Sequence, residues 1–147
     1  MKILEMQTAM LSNYEVLTHL EDMRERYDKL AKDRGAAASM KSGNLETLVD
    51  YLHTPPSPLQ INHAYAKTTI SDLISALRPY ALEKPEYLMI LNLRPATTAE
   101  LDVVVEEMDQ RFKEEEVEAM LRIIGEVLGR PGEGEGSEGV EGGDSNA

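Results

Sequence analysis

A chain of 147 residues with a formal charge of −12, a pI near 4.6, no cysteine and one phenylalanine has room for one ordinary domain or two very small ones. The acidic balance argues against nucleic-acid binding by the whole chain, because phosphate neutralisation needs clustered Lys and Arg, and it suits a basic protein partner or simple solvation. The lack of cysteine excludes disulfides and thiolate chemistry, no apolar run approaches the ~20 residues of a membrane span, and the N-terminus lacks a signal-peptide pattern, which together lead us to expect a soluble intracellular protein.

Helix formers dominate and no long stretch alternates in the β manner, so the expected fold class is all-α. Residues 2–6, KILEM, form a short apolar segment without a helical start signal. If extended, this segment needs the sheet edge of another chain, since one strand makes no sheet alone; the same residues read equally well as a frayed or helical N-terminus. Ser12 with Glu15 matches the S-x-x-E capping box, and Leu11 and Val16 are placed for a hydrophobic staple. Val16, Leu20, Met23, Tyr27 and Leu30 then repeat in steps of four and three, a two-heptad seam that Leu17 widens into a face. Glu21, Arg24, Glu25, Asp28 and Lys29 form the solvated side. This helix should end near Arg34 and Gly35, and a small polar loop leads to a second helix capped by Asn44, with Leu45, Leu48, Val49 and Leu52 as its stripe. The prolines after His53 close it and mark a candidate boundary between an N-terminal helical pair and a C-terminal bundle.

Four helical segments are expected in the second half. Ile70, Leu73, Ile74 and Leu77 make the stripe of the first, which stops before Pro79. A short helix over about residues 85–92 turns Tyr87, Leu88 and Leu91 inward, with Pro85 in its first turn. The third starts at Thr97 or Thr98, where Thr97 and Glu100 form another capping box, and its stripe is Leu101, Val104, Val105 and Met108. A joint at about residues 110–113 leads to the fourth, with Val117, Met120, Leu121 and Ile124 as its stripe. Glu114, Glu115 and Glu116 sit at the positive end of that helix dipole, and Gly129 and Pro131 stop it. The remaining Gly- and Glu-rich tail has too few apolar side chains to offset its ordering entropy. It reads either as an electrostatic contact for a basic surface or as a solubilising extension.

Chemistry-bearing constellations are absent. His19, His53 and His63 lack a ligand spacing, and there is no phosphate loop, EF-hand loop or nucleophile elbow. The carboxylates around Glu106 and Glu114 lie in exposed charge runs without the desolvation that tunes a general acid or base. No catalytic residue, metal or cofactor is expected. Asn92 and Arg94, in the tight corner before Pro95, are suited to holding two helices together; alternatively, Arg94 helps form a partner surface.

At this corner a family resemblance emerges. The L-N-x-R-P run (Leu91, Asn92, Arg94, Pro95), Glu100-Leu101, and the V-E-E-x-x-x-R-F run ending at Phe112 are similar to the smaller stalk subunits of RNA polymerases. So is the N-terminal stretch Leu11, Ser12, Asn13, Tyr14, Glu15 and Val16. That family includes the smaller stalk subunit of the archaeal polymerase and its counterparts in polymerases II and III, and the matches resemble polymerase III. Lys113 departs from the family's Ser, Thr or Asp helix cap, and residues 36–43 and 55–63 match poorly. The resemblance implies an N-terminal heterodimerisation region over 1–54, a Pro-rich linker over 55–66, an HRDC-like bundle over 67–129 and an acidic tail over 130–147. It implies a noncatalytic nuclear subunit that pairs with the larger OB-fold stalk subunit, joins the polymerase core and meets initiation factors, with little direct nucleic-acid binding of its own. Ile3, Leu4, Leu11, Tyr14, Val16, Leu17 and Leu20 are the expected partner-binding residues; Asn92, Arg94, Pro95 and Phe112 are the expected structural corner. A stand-alone HRDC-like nucleic-acid-binding module is the alternative.

Overall fold

A computed structural model describes residues 9–34, 43–60 and 65–130, and their regular structure is entirely helical. The helices are α1 (Asn13–Arg34), α2 (Gly43–His53), α3 (Thr69–Leu77), α4 (Lys84–Leu93), α5 (Thr98–Val104), α6 (Met108–Arg111) and α7 (Glu114–Leu128), with a 3-10 turn at Arg78–Tyr80 after α3. The all-α expectation therefore holds for the described residues. The segment at residues 2–6, the loop after Arg34, His63 and the tail beyond Arg130 lie outside them.

Local signals account for the helix starts. The Glu15 carboxylate accepts from the Ser12 N–H at 2.7 Å, and Ser12 Oγ accepts from the Glu15 N–H, which closes the expected box. Leu11 stays 59% exposed, so the staple does not close over it. Thr97 and Glu100 form the same reciprocal cap on α5. At α7 the Lys113 N–H donates to the Glu116 carboxylate at 2.8 Å, the glutamate half of a capping box, while Lys113 supplies no side-chain acceptor in the place of the family's Ser, Thr or Asp. The second helix begins one residue before the expected cap at Asn44.

α3 packs along α7, α4 and α7 flank α5, and α1 lies against both α2 and α4. Leu73, Leu77, Ile90, Leu101, Met120, Ile124 and Leu128 are wholly buried at the centre of this arrangement. Leu17, Val49, Leu52 and Leu59 belong to the same core cluster, which thus runs past the Pro-rich turn. That turn is packed rather than extended: Leu59 is in the core, Ser57 Oγ accepts from the Leu59 N–H, and His53 Nδ1 meets the Leu59 carbonyl at 2.6 Å.

Three readings of the apolar pattern need correction. The stripe from Leu101 to Met108 is not one helix, because α5 ends at Val104, Val105 is extended and Glu107 takes a left-handed φ of 51° before α6. The break keeps Leu101, Val105 and Met108 buried while freeing the Glu106 backbone for a buried carboxylate on α4. In α4 the inward residues are Glu86, Ile90 and Leu91, with Tyr87 and Leu88 half-buried. On α2 and α3 the stripes are narrower than expected, because Leu48 and Ile74 are exposed. Glu21 also leaves the solvated face: half-buried, it approaches His53 Nε2 at 3.7 Å.

Candidate partner interface

The start of α1 is bolted to the rest of the molecule at the α4–α5 corner. Asn92 Oδ1 accepts from the Asn13 N–H at 2.8 Å, satisfying one of the donors that a helix N-terminus leaves open. At the next residue, Tyr14 meets the Tyr65 ring edge-to-face at 5.8 Å, and the Tyr65 hydroxyl donates to the Leu91 carbonyl at 2.8 Å. Burial pushes the Tyr65 phenol far above its ordinary value, against a smaller opposing pull from Arg94, so it stays a neutral donor. Arg94 itself caps α4 in the left-handed region at φ 46°, its N–H donating to the Ile90 carbonyl, and Pro95 is buried behind it. Phe112 closes the far side, half-buried, edge-to-face with Tyr80 at 6.4 Å and under the Arg111 guanidinium at 5.0 Å.

Glu86 and Arg111, neither of them picked out from the sequence as a pair, lock that side. Arg111 donates to both Glu86 carboxylate oxygens and to the Glu106 carbonyl, while the Glu83 and Glu106 N–H groups also donate to the carboxylate. Burial alone would raise the Glu86 pKa; the hydrogen bonds from Arg111, Glu83 and Glu106, with the Arg111 charge, outweigh it and hold the group below the ordinary carboxylate value. The one hint available in sequence was Glu86 at the third position of a Pro-started helix, a capping position. Its burial depends on α6, which no local pattern reveals.

The expected partner residues separate into distinct environments. Ile3 and Leu4 lie outside the described residues. Leu11 is exposed, Tyr14, Val16 and Leu20 are half-buried against the core, and Leu17 is inside it at 1% exposure. Beyond these, Met10 before α1, Tyr27 and Leu30 on α1, and Leu48 and Tyr51 on α2 are large apolar side chains in solvent, Tyr51 being 73% exposed. Tyr27 and Leu30 continue the seam read from the sequence. Among the described residues, no group of three or more His, Cys, Asp or Glu side chains could hold a metal, and no helix is long and apolar enough to cross a membrane.

Comparison with known proteins gives this surface its context. The family model RNA polymerase Rpb4 matches residues 10–128, from just before the cap of α1 to the end of α7. The chain belongs to the RNA polymerase Rpb4 family. DNA-directed RNA polymerase III subunit rpc9 of Schizosaccharomyces pombe is 33% identical over 124 residues, covering 84% of this chain and 96% of that protein. DNA-directed RNA polymerase III subunit RPC9 of Saccharomyces cerevisiae is 28% identical over 157 residues, covering 84% and 98%. Within this Rpb4-family chain Asn92 joins α1 to the end of α4 and Phe112 meets Tyr80 of the 3-10 turn, while exposed large apolar side chains stand on α1 and α2 and also at Ile74, Met89, Leu93 and Val103.

Proposed function

We propose that this chain is a noncatalytic subunit of nuclear RNA polymerase III. Its residues 1–54 would dock on the larger, OB-fold stalk subunit, and its residues 67–129 would form an HRDC-like bundle presented to initiation factors. The observation that carries the reading is the unbroken family match over residues 10–128, together with near-complete coverage of two relatives that are named as polymerase III subunits. The geometry supports it: apolar side chains of α1 and α2 stand in solvent on a chain whose net charge of −12 otherwise favours solvation.

The test is affinity purification of the tagged chain from cell extract with identification of the co-purifying subunits. Recovery of the large polymerase III subunits and the larger stalk subunit supports the proposal; recovery of polymerase II subunits or none overturns it. Purified chain should bind single-stranded RNA weakly at about 0.1 M salt, where phosphate-driven binding is still strong. Tight, steeply salt-dependent binding would instead support a stand-alone nucleic-acid module.

A further inference from the structure

Residues 94–130 carry ten carboxylates and five basic side chains, yet three of those five converge on one place. Arg111 is committed to Glu86. Arg94, Arg122 and Arg130 line an open groove of about 620 Å³ between the α4–α5 corner and the last turns of α7, with Pro95 and Leu121 supplying apolar wall and Glu118 the one carboxylate among the lining residues. None of the three arginines makes an ion pair with a described residue.

The placement of Arg130 is built into the helix end. Gly129 turns the chain with φ 79°, and the side chain of Arg130 then folds back over α7. A Cβ on Gly125 would stand 3.2 Å from Arg130 Nε and 3.4 Å from its Cγ. Gly in a helix interior is disfavoured, and here the missing side chain leaves the room that the returning arginine occupies. The side chain thereby lies along α7 at the groove while remaining exposed to solvent.

We propose that the groove is the docking site of the chain's own acidic C-terminal segment, residues 131–147. This segment starts at the residue after Arg130, carries Glu133, Glu135, Glu138, Glu141 and Asp144, and has no basic side chain. Its 17 residues, at up to ~3.5 Å each, reach well beyond the length needed to return to Arg94. Ion pairs in an open groove are individually weak and salt-screened. Attachment to α7 compensates, because a short tether holds the carboxylates at millimolar effective concentration.

Because the chain has no cysteine, a single V140C substitution takes one nitroxide label in the full-length protein. In low salt the label should broaden the amide resonances of Arg94, Arg122 and Gly125 selectively. The broadening should vanish at about 1 M salt, where the Debye length is about 3 Å. It should also vanish when Glu133, Glu135, Glu138 and Glu141 become Gln and Asp144 becomes Asn, a change that leaves every described residue intact. An R94Q/R122Q double variant should lose it from the opposite side. Broadening that ignores salt and tail charge, or groove amides that respond only to added peptide 131–147 in trans, would overturn the proposal.

Discussion

α7 and α1 carry apolar stripes of the same kind, and the molecule treats them differently. Along α7, Val117, Met120, Ile124 and Leu128 are all buried, over the helix's full 15 residues, by α3 and α5. Along α1 only Leu17 is fully buried; Val16 and Leu20 are half-covered, and Tyr27 and Leu30 emerge into solvent. The difference lies in the neighbours: α7 is packed against α3 and α5, α1 against α2 and α4. A stripe at helical spacing shows which side must be covered, and says nothing about whether this chain or another one covers it.

Substitutions can sharpen that contrast. Ile124→Ala, at the wholly buried centre of α7, should lower stability by about 2–5 kcal/mol, read as a fall in the urea midpoint with an unchanged slope. Leu17→Ala should behave the same way although it sits on α1; a stability change under about 0.5 kcal/mol there would show that α1 is not part of this core.

Glu86→Ala should follow at about 2–3 kcal/mol, because it removes a buried carboxylate and leaves Arg111 and two backbone donors without their acceptor. The pH dependence has a defined sign. The folded-state pKa of Glu86 is depressed, so the pair's contribution is complete above the ordinary carboxylate value of 4.5 and is lost as pH falls through the lower folded value. Glu86→Gln should therefore flatten the acid limb of the stability profile. An unchanged acid limb would show that the pair contributes no pH-dependent stability.

Asn92→Ala should cost about 1 kcal/mol by unpairing the Asn13 N–H at the start of α1. Hydrogen exchange should then rise in the first turn of α1 and not in α7. The smallest stability effect belongs to the exposed seam. Tyr27→Ala with Leu30→Ala should move stability by no more than about 0.5 kcal/mol, yet, on the function proposed above, weaken binding to a larger stalk subunit about tenfold or more. Equal binding by the double variant would move the interface off this half of α1.

Caps and turns were legible in the chain because they are local. Ser12 with Glu15, Thr97 with Glu100 and the stop at Gly129 each depend on residues within about one helical turn, and the structure places all three where the pattern does. The family, too, was legible, from the Leu91–Pro95 corner and the spacing to Arg111 and Phe112, and the match over residues 10–128 agrees. Only the folded chain shows Glu86 buried beneath Arg111, Asn92 holding the first turn of α1, three arginines gathered on one groove, and the helix broken at Val105. Each of these joins residues from 20 to 79 positions apart or overrides a local stripe through such a pairing. Hydrophobic periodicity sets which side of each helix turns inward, whereas the pairing of buried polar groups and the reach of neighbouring helices emerge only when all the elements compete for the same core.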